Sequence, residues 1–223
     1  MPDEIPPQSI RDEMEQIYRS MSPADIPWNI QAPPQPLVEL VESGQVAPCK
    51  TLDVGCGAGN HAVYLASKGF DVTGVDVSPS AIKLARQNAR KNSVTCNFLV
   101  ADLLEGMEDF VGTFEFVHEW SVLHHIYPEQ RERHVETVHQ ILVPGGKYFS
   151  VCFSDRDPAF DGTRKIRRTS IGTVLCFSSE NDLKKLFQPH FRVLRMKTEK
   201  VEGKKGPHLM NVAFMEKHII ESV

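Results

Sequence analysis

From Lys50 to Ser154 the chain alternates short apolar runs of strand length with longer segments whose apolar residues fall on one helical face. KTLDV reads as a buried strand and NHAVYLASKG as a helix ended by Gly69. FDVTGVDV is a second strand. The helix SPSAIKLARQNARKN follows, with Ser78 as its cap and Pro79 in its first position. CNFLVAD and FEFVHEW are further strands. PEQRERHVETVHQIL is a helix with Val135, Val138, Ile141 and Leu142 apolar; PGG stops it and KYFSVCFS is the next strand. Strand, helix, strand in repetition means a parallel sheet covered by helices on both faces. The end changes character. SENDLKKLF reads as a short helix, then FRVLRMKTEKV and HLMNVAFMEKH are strands joined by EGKKGP. Two strands joined by so short a loop pair antiparallel. The expected fold is therefore α/β, a doubly wound, mostly parallel seven-stranded sheet with one antiparallel strand from a C-terminal hairpin.

Ahead of the first strand, Ser9 is placed to cap a helix with Ile10, Met14, Ile17, Tyr18 and Met21 on one face. The Pro-rich SPADIPWNIQAPPQP is not regular structure, yet it carries Trp28, a large side chain that needs cover. Pro36 opens a short helix that Gly44 closes. The expected division is an N-terminal pair of helices with a lid over 1–45, then a catalytic domain over 46–223.

The loop after the first strand, GCGAG, places Gly55, Gly57 and Gly59 at alternate positions. Missing β-carbons let a backbone approach a ligand, and the next helix offers free N–H groups at its start. In open parallel sheets ligands bind at this carboxyl edge, so a nucleotide-like ligand is expected. The dinucleotide fingerprint GxGxxG fails, because Asn60 stands where its third glycine belongs. Asp53, in the strand below, is a poor companion for a pyrophosphate and a better one for a cationic group.

LDVGCGAG resembles the first motif of class I S-adenosylmethionine-dependent methyltransferases. VTGVDVS is similar to their second motif, FLVADLLE to the third, FEFVHEWSVLHHI to the fourth, and LVPGGKYF to the turn before their fifth strand. The resemblance runs from about Trp28 to the final hairpin and implies six strands of one direction and one reversed. It implies S-adenosylmethionine as cofactor and S-adenosylhomocysteine as product. It places Asp53 under the methionine end, against which Gly55, Cys56, Gly57 and Gly59 bring their backbone. Asp76, with Val77 beside it, would hold the ribose hydroxyls; Asp102 would lie near the adenine amino group and Leu103 along its ring. Glu119 falls where the family's chain turns toward the methyl donor. IPWNIQAPPQPLVEL is similar to the N-terminal lid of small-molecule methyltransferases of the thiopurine and tellurite-resistance kind, with Asn29 in place of an Asp and QAPP in place of a Gly-containing run. Trp28 is thus either a lid over the cofactor or a plug for the core.

Methyl transfer is an in-line displacement, so the protein mainly aligns the nucleophile and excludes water. A base is required only when the nucleophile arrives protonated. Glu119 and His124 are the catalytic candidates, with His118 and His125 beside them. His124 and His125 match an LHH common in the family, where such residues also cap and pack. His134 and His139 are expected at the surface or an edge. No recognisable ligand spacing supports a metal. The long segment 154–179 sits where this fold builds its substrate site. In it Arg164, Arg167 and Arg168 suit an anionic acceptor, and Phe160 or Phe177 an apolar wall.

Charge is uneven: residues from Lys147 onward sum to +6 and those before it to −10, for a net −4. RKIRR is the densest basic spot, and a solvated loop is its plainer reading. The five cysteines are scattered without a CxxC pair, which suits a reducing cytoplasm. The acidic, Pro-rich start is not a signal peptide, and no run is long enough to cross a bilayer. The expected activity is methyl transfer to a small molecule through S, N or O, with nucleic acid and membrane partners not expected. An RNA or protein methyltransferase, or a non-catalytic cofactor-binding module, are the alternatives.

Overall fold

The computed structural model describes residues 10–160, 162 and 164–218. The predicted cap Ser9 lies outside them. Helices α1 (Ile10–Ser20) and α2 (Gln35–Glu42) precede the alternating part. Then come β1 (Lys50–Val54), α3 (Asn60–Ser67), β2 (Asp71–Asp76), α4 (Pro79–Lys91), β3 (Asn97–Val100), β4 (Phe114–Trp120), α5 (Arg131–Ile141) and β5 (Leu142–Phe153). A small hairpin of β6 (Ile166–Arg168) and β7 (Val174–Cys176) leads to α6 (Glu180–Phe187), β8 (Phe191–Gly203) and β9 (Gly206–Lys217).

The main sheet has seven strands in the order β3-β2-β1-β4-β5-β9-β8. Strands β1 to β5 are parallel, and β9 runs antiparallel to both β5 and β8, so it alone is reversed. The order reverses between β1 and β4. There the two crossovers leave in opposite directions and open a crevice at the carboxyl edge.

Side-chain alternation divides the core into two layers. Leu52, Val54 and Val117 face α5 and α6 and pack with Val135, Val138, Ile141 and Phe187. Phe116, Phe149 and Val72 face the other way, onto Leu40, Leu65, Ile82 and Ala85 of α2, α3 and α4. Phe114, Phe116, Tyr148 and Phe149 have no exposed surface, and each such burial stabilises the fold by roughly 1.5–3 kcal/mol. Helix starts follow local chemistry. Ser78 Oγ accepts the Ala81 N–H at 3.0 Å, and Ser179 with Asp182 forms a reciprocal capping box on α6. The pairing of β4 with β5 jumps from Phe114↔Leu142 to Phe116↔Lys147, so Pro144, Gly145 and Gly146 bulge out of the ladder.

The long segment 154–179 contains regular structure of its own. Ile166 pairs with Cys176 and Arg168 with Val174. Arg167 is buried at its base, where its guanidinium donates to the carbonyls of Asp155, Asp157, Ala159 and Arg164 and stacks over Phe177 at 3.8 Å. Arg167 is thereby committed to the loop's own backbone rather than to an anionic acceptor.

Candidate active site

β1 ends against the glycine loop, and each glycine is needed for a different neighbour. A Cβ on Gly57 (φ +54°) would stand 2.5 Å from Tyr18 Oη, and one on Gly59 (φ +74°) 2.9 Å from the Ala85 Cβ. Gly57 thus lets α1 close over the loop, whereas Gly59 lets α3 start tight against α4. Asp76, at the end of β2, accepts the Gly57 N–H and the Ser78 N–H, both at 2.9 Å. It is 7% exposed, and burial raises its carboxyl to about 6 despite those two hydrogen bonds.

A cavity of about 150 Å³ lies over this loop at the crevice. Of the residues expected around the cofactor, Trp28, Gly55, Cys56, Gly57, Asp76, Val77, Asp102 and Leu103 line it. Gly59 does not, because it faces α4. Asp53 does not either. It lies in the layer behind the loop, 1% exposed, with Oδ1 2.9 Å from His118 Nδ1. Asp53 Oδ2 and His118 Nε2 are buried without a hydrogen-bond partner among the described residues. His61, which lines the cavity from the first turn of α3, packs edge-on against the His118 ring at 5.2 Å. Among the described residues, Asp53, His61 and His118 bring ligand-type atoms within 4.8 Å of one another. Burial holds His61 neutral, at about 4.

Glu119 requires a correction of orientation. Strand periodicity turns it away from Asp53 and His118, and it does not line the cavity. Its fully buried carboxylate accepts from Tyr148 Oη at 2.6 Å and Ser150 Oγ at 2.5 Å, and pairs with His134 Nε2 at 2.7 Å. Burial pushes its carboxyl up, but the His134 charge and the three hydrogen bonds outweigh this and hold it below the usual range. His134 is accordingly interior, 1% exposed, and not the surface residue that its position on a polar helix suggests. His139 is half-buried at an edge, beside His190.

Trp28 lies between two spaces. Its indole N–H donates to Tyr18 Oη at 2.9 Å, and its ring meets His125 edge-on at 5.8 Å. Beyond it is a second cavity of about 210 Å³ against the 154–179 hairpin and the β8–β9 turn. Trp28, Ile30, Trp120, Ser121 and His125 line both cavities. Ser121, just after β4, holds φ +63°, an uncommon conformation for a residue with a β-carbon. His124 faces the second cavity, and its Nδ1 accepts the Phe153 N–H at 3.3 Å. Burial drives His124 well below its ordinary value and His125 to about 4.

Sequence reasoning missed Tyr18, His61 and Ser121. Tyr18 was legible only as part of an apolar face, and the other two carry no spacing signal. Asn29, the departure from the lid pattern, accepts from Asn60 Nδ2 at 2.7 Å, and Asn60 Oδ1 accepts from Asn88 Nδ2 at 2.9 Å. The substituted residue thus ties the 21–34 segment to α3 and α4.

A crevice at the reversal of strand order, floored by a glycine loop and an acid at the end of the neighbouring strand, is the nucleotide-type ligand site of a doubly wound α/β fold. Residues 51–146 match the family model described as a methyltransferase domain. The chain is 28% identical over 175 residues to the 2-heptyl-1-hydroxyquinolin-4(1H)-one methyltransferase of Mycobacteroides abscessus, covering 75% of this chain and 76% of that one. The fold is similar to a structure solved for the conversion of a disulfide bond into a thioacetal group during echinomycin biosynthesis, with a TM-score of 0.82, 24% identity, and 96% of this chain and 95% of that chain covered. It is also similar to the 1,6-didemethyltoxoflavin-N1-methyltransferase of Burkholderia thailandensis, with a TM-score of 0.74, 19% identity, and 96% and 93% covered. At these identities the two structures speak for the fold. These matches support a class I S-adenosylmethionine-dependent methyltransferase.

Proposed function

We propose that the protein transfers a methyl group from S-adenosylmethionine to a small molecule, with the cofactor in the cavity over the glycine loop and the acceptor in the second. The observation that carries this is the junction of the two cavities at Trp28, Trp120, Ser121 and His125. A donor and a nucleophile seated on either side of it meet there.

The donor-side residues fit the cofactor. Asp76 has lone pairs left for two ribose hydroxyls after accepting two backbone N–H groups. Asp102 Oδ1 accepts the Leu104 N–H at 2.9 Å, which fixes the turn that sets Leu103 and Asp102 along the adenine side. The buried, unpartnered Asp53 Oδ2 supplies negative charge behind the loop for the methionine ammonium and sulfonium. Bound there, the cofactor supplies an activated methyl. The chain's own part is to cradle, orient and exclude water. On this reading the described part of 1–45 is the lid and 154–179 the acceptor wall. Among the described residues no helix is long and apolar enough to cross a membrane, and the five free cysteines suit the cytoplasm. Two of the three proteins named above act on small heterocycles by their names, which agrees with an acceptor space of this size.

A thermal-shift scan with S-adenosylmethionine, S-adenosylhomocysteine, NAD and NADP tests the reading. A ligand at a hundred times its dissociation constant stabilises by about 2.7 kcal/mol. The two adenosyl sulfur compounds should raise the melting temperature and the dinucleotides should not. A shift with a dinucleotide alone overturns the assignment.

A further inference from the structure

The second cavity is walled by rings. Trp28 and Trp120 stand at its junction with the first, and Phe153 and Phe160 line it as well, edge-to-face at 5.9 Å. Such walls take a flat aromatic molecule by stacking and edge contacts. Three histidines also line it, His124, His125 and His208. They are not equivalent. His124 Nδ1 already accepts a backbone N–H, so its other nitrogen carries the hydrogen and has no lone pair to offer. Among the described residues no carboxylate pairs with His125, and burial makes it a poor base. His208, on β9, lies 5.0 Å from the Phe153 ring and stacks on Phe160 at 6.2 Å and 15°. Its Nδ1 is buried, without a hydrogen bond, 3.5 Å from Asp157 Oδ2.

Asp157 is a carboxylate fixed for a purpose other than solvation. It is 1% exposed, its Oδ1 accepts the Ala159 N–H at 2.8 Å, its Oδ2 accepts the Leu209 N–H, and Arg167 grips its carbonyl. The 3.5 Å separation is an ion-pair distance rather than a made hydrogen bond, and such contacts tighten when a site is filled. A carboxylate on Nδ1 selects the tautomer with its lone pair on Nε2 and steadies the imidazolium once a proton arrives. Among the described residues the other charged side chains at this cavity are Glu202, Lys204 and Lys205 on the β8–β9 turn.

We propose that the second cavity takes a planar aromatic acceptor whose nucleophile is a hydroxyl, and that His208, backed by Asp157, receives the hydroxyl proton. The inference rests on the reading of this cavity as the acceptor space. The acceptor's O–H proton passes to His208 Nε2. The bond from its oxygen to the methyl carbon forms as the carbon–sulfur bond breaks, and that bond's electron pair stays on sulfur. The imidazolium then releases the proton to water. His208 is the catalytic residue, and Asp157, which acts through it, is a positioning residue.

Two probes of one shape separate this role from a structural one. 2-Naphthol is largely protonated near neutrality, as phenols are, whereas 2-naphthalenethiol is far more ionised, as thiols are. S-Adenosylhomocysteine binding is measured first; if it is absent, the parent reading falls and the inference with it. With the product bound, 2-naphthol should bind the wild type, and its naphtholate absorbance should appear at a lower pH than for free 2-naphthol. His208→Gln, and His208→Phe, which keeps the ring contacts, should bind it as the neutral naphthol. Asp157→Asn should raise the pH at which the naphtholate appears. In turnover the His208 variants should lose at least a hundredfold on 2-naphthol and less than fivefold on the thiol. Product binding without naphthol binding, equal losses on both probes, or naphtholate formation in both His208 variants overturns the inference alone.

Discussion

At the scale of single residues, two buried carboxylates have opposite fates. Asp76 has its ionisation raised to about 6 by burial, so in the empty protein it is protonated below that pH. Ribose hydroxyls need the ionised form as acceptor. Cofactor affinity should therefore be full at pH 7.5 and fall as the pH drops through about 6, by up to tenfold per unit. Calorimetric titration at pH 5 and 7.5 checks this. The sign for the empty fold is the reverse: a raised folded value gives stability below the unfolded value, which is lost as the pH rises through about 6. Asp76→Ala should weaken S-adenosylhomocysteine binding at least tenfold at pH 7.5 and flatten the pH dependence. Glu119 has no such exposure to ligand. Three donors converge on it, so Glu119→Ala removes the one carboxylate that Tyr148, Ser150 and His134 share and leaves that buried cluster short of acceptors. It should cost about 3 kcal/mol or more, read as a lower urea midpoint.

At the scale of elements, strands were the most legible feature. KTLDV and FEFVHEW are β1 and β4 to the residue, and Ser78 and Pro79 begin α4 as their chemistry requires. What was not legible is which face of β4 meets which layer. Period two places His118 and Glu119 on opposite faces, but only the assembled sheet says that His118 meets Asp53 and Glu119 meets α5. His134 fails for the same reason: a histidine among Arg131, Glu132 and Arg133 looks solvated until Glu119 is found beneath it. The hairpin of β6 and β7 was hidden because three-residue strands carry too little alternation to detect. The glycine loop also divides by element. Gly59 belongs to the contact of α3 with α4, so Gly59→Ala meets both a left-handed φ and the Ala85 methyl. It should lower stability by roughly 1–3 kcal/mol, measured by chemical denaturation. Gly57→Ala should instead push Tyr18 outward and weaken cofactor binding with a smaller loss of stability.

At the scale of the molecule, the segment before β1 and the β8–β9 turn close over the middle. Tyr18 and Trp28 come from before the first strand, His208 and the β8–β9 turn from after the last crossover, and the crevice between β1 and β4 lies beneath both. Glu15 joins α1 to the start of α4 through Ser78 and Ser80. Lys204, at the tip of the β8–β9 turn, donates to the carbonyls of Ala24 at 2.6 Å and Ile26 at 2.8 Å. The cover over the second cavity is thus held at one side by a single exposed cation reaching two carbonyls. A charged hydrogen bond of this kind contributes about 1 kcal/mol after solvent screening. Lys204→Ala should therefore leave the melting temperature within about 3 °C of the wild type. Amide exchange across residues 24–30 should nevertheless quicken, and S-adenosylhomocysteine binding should weaken by about fivefold. Protection in β1 and β4 should not change, because no contact of Lys204 reaches the sheet centre. Unaltered exchange at 24–30 would mean that Asn29, Asn60 and Asn88 hold the segment without help from the turn. In that case the two cavities would be closed from the N-terminal side alone.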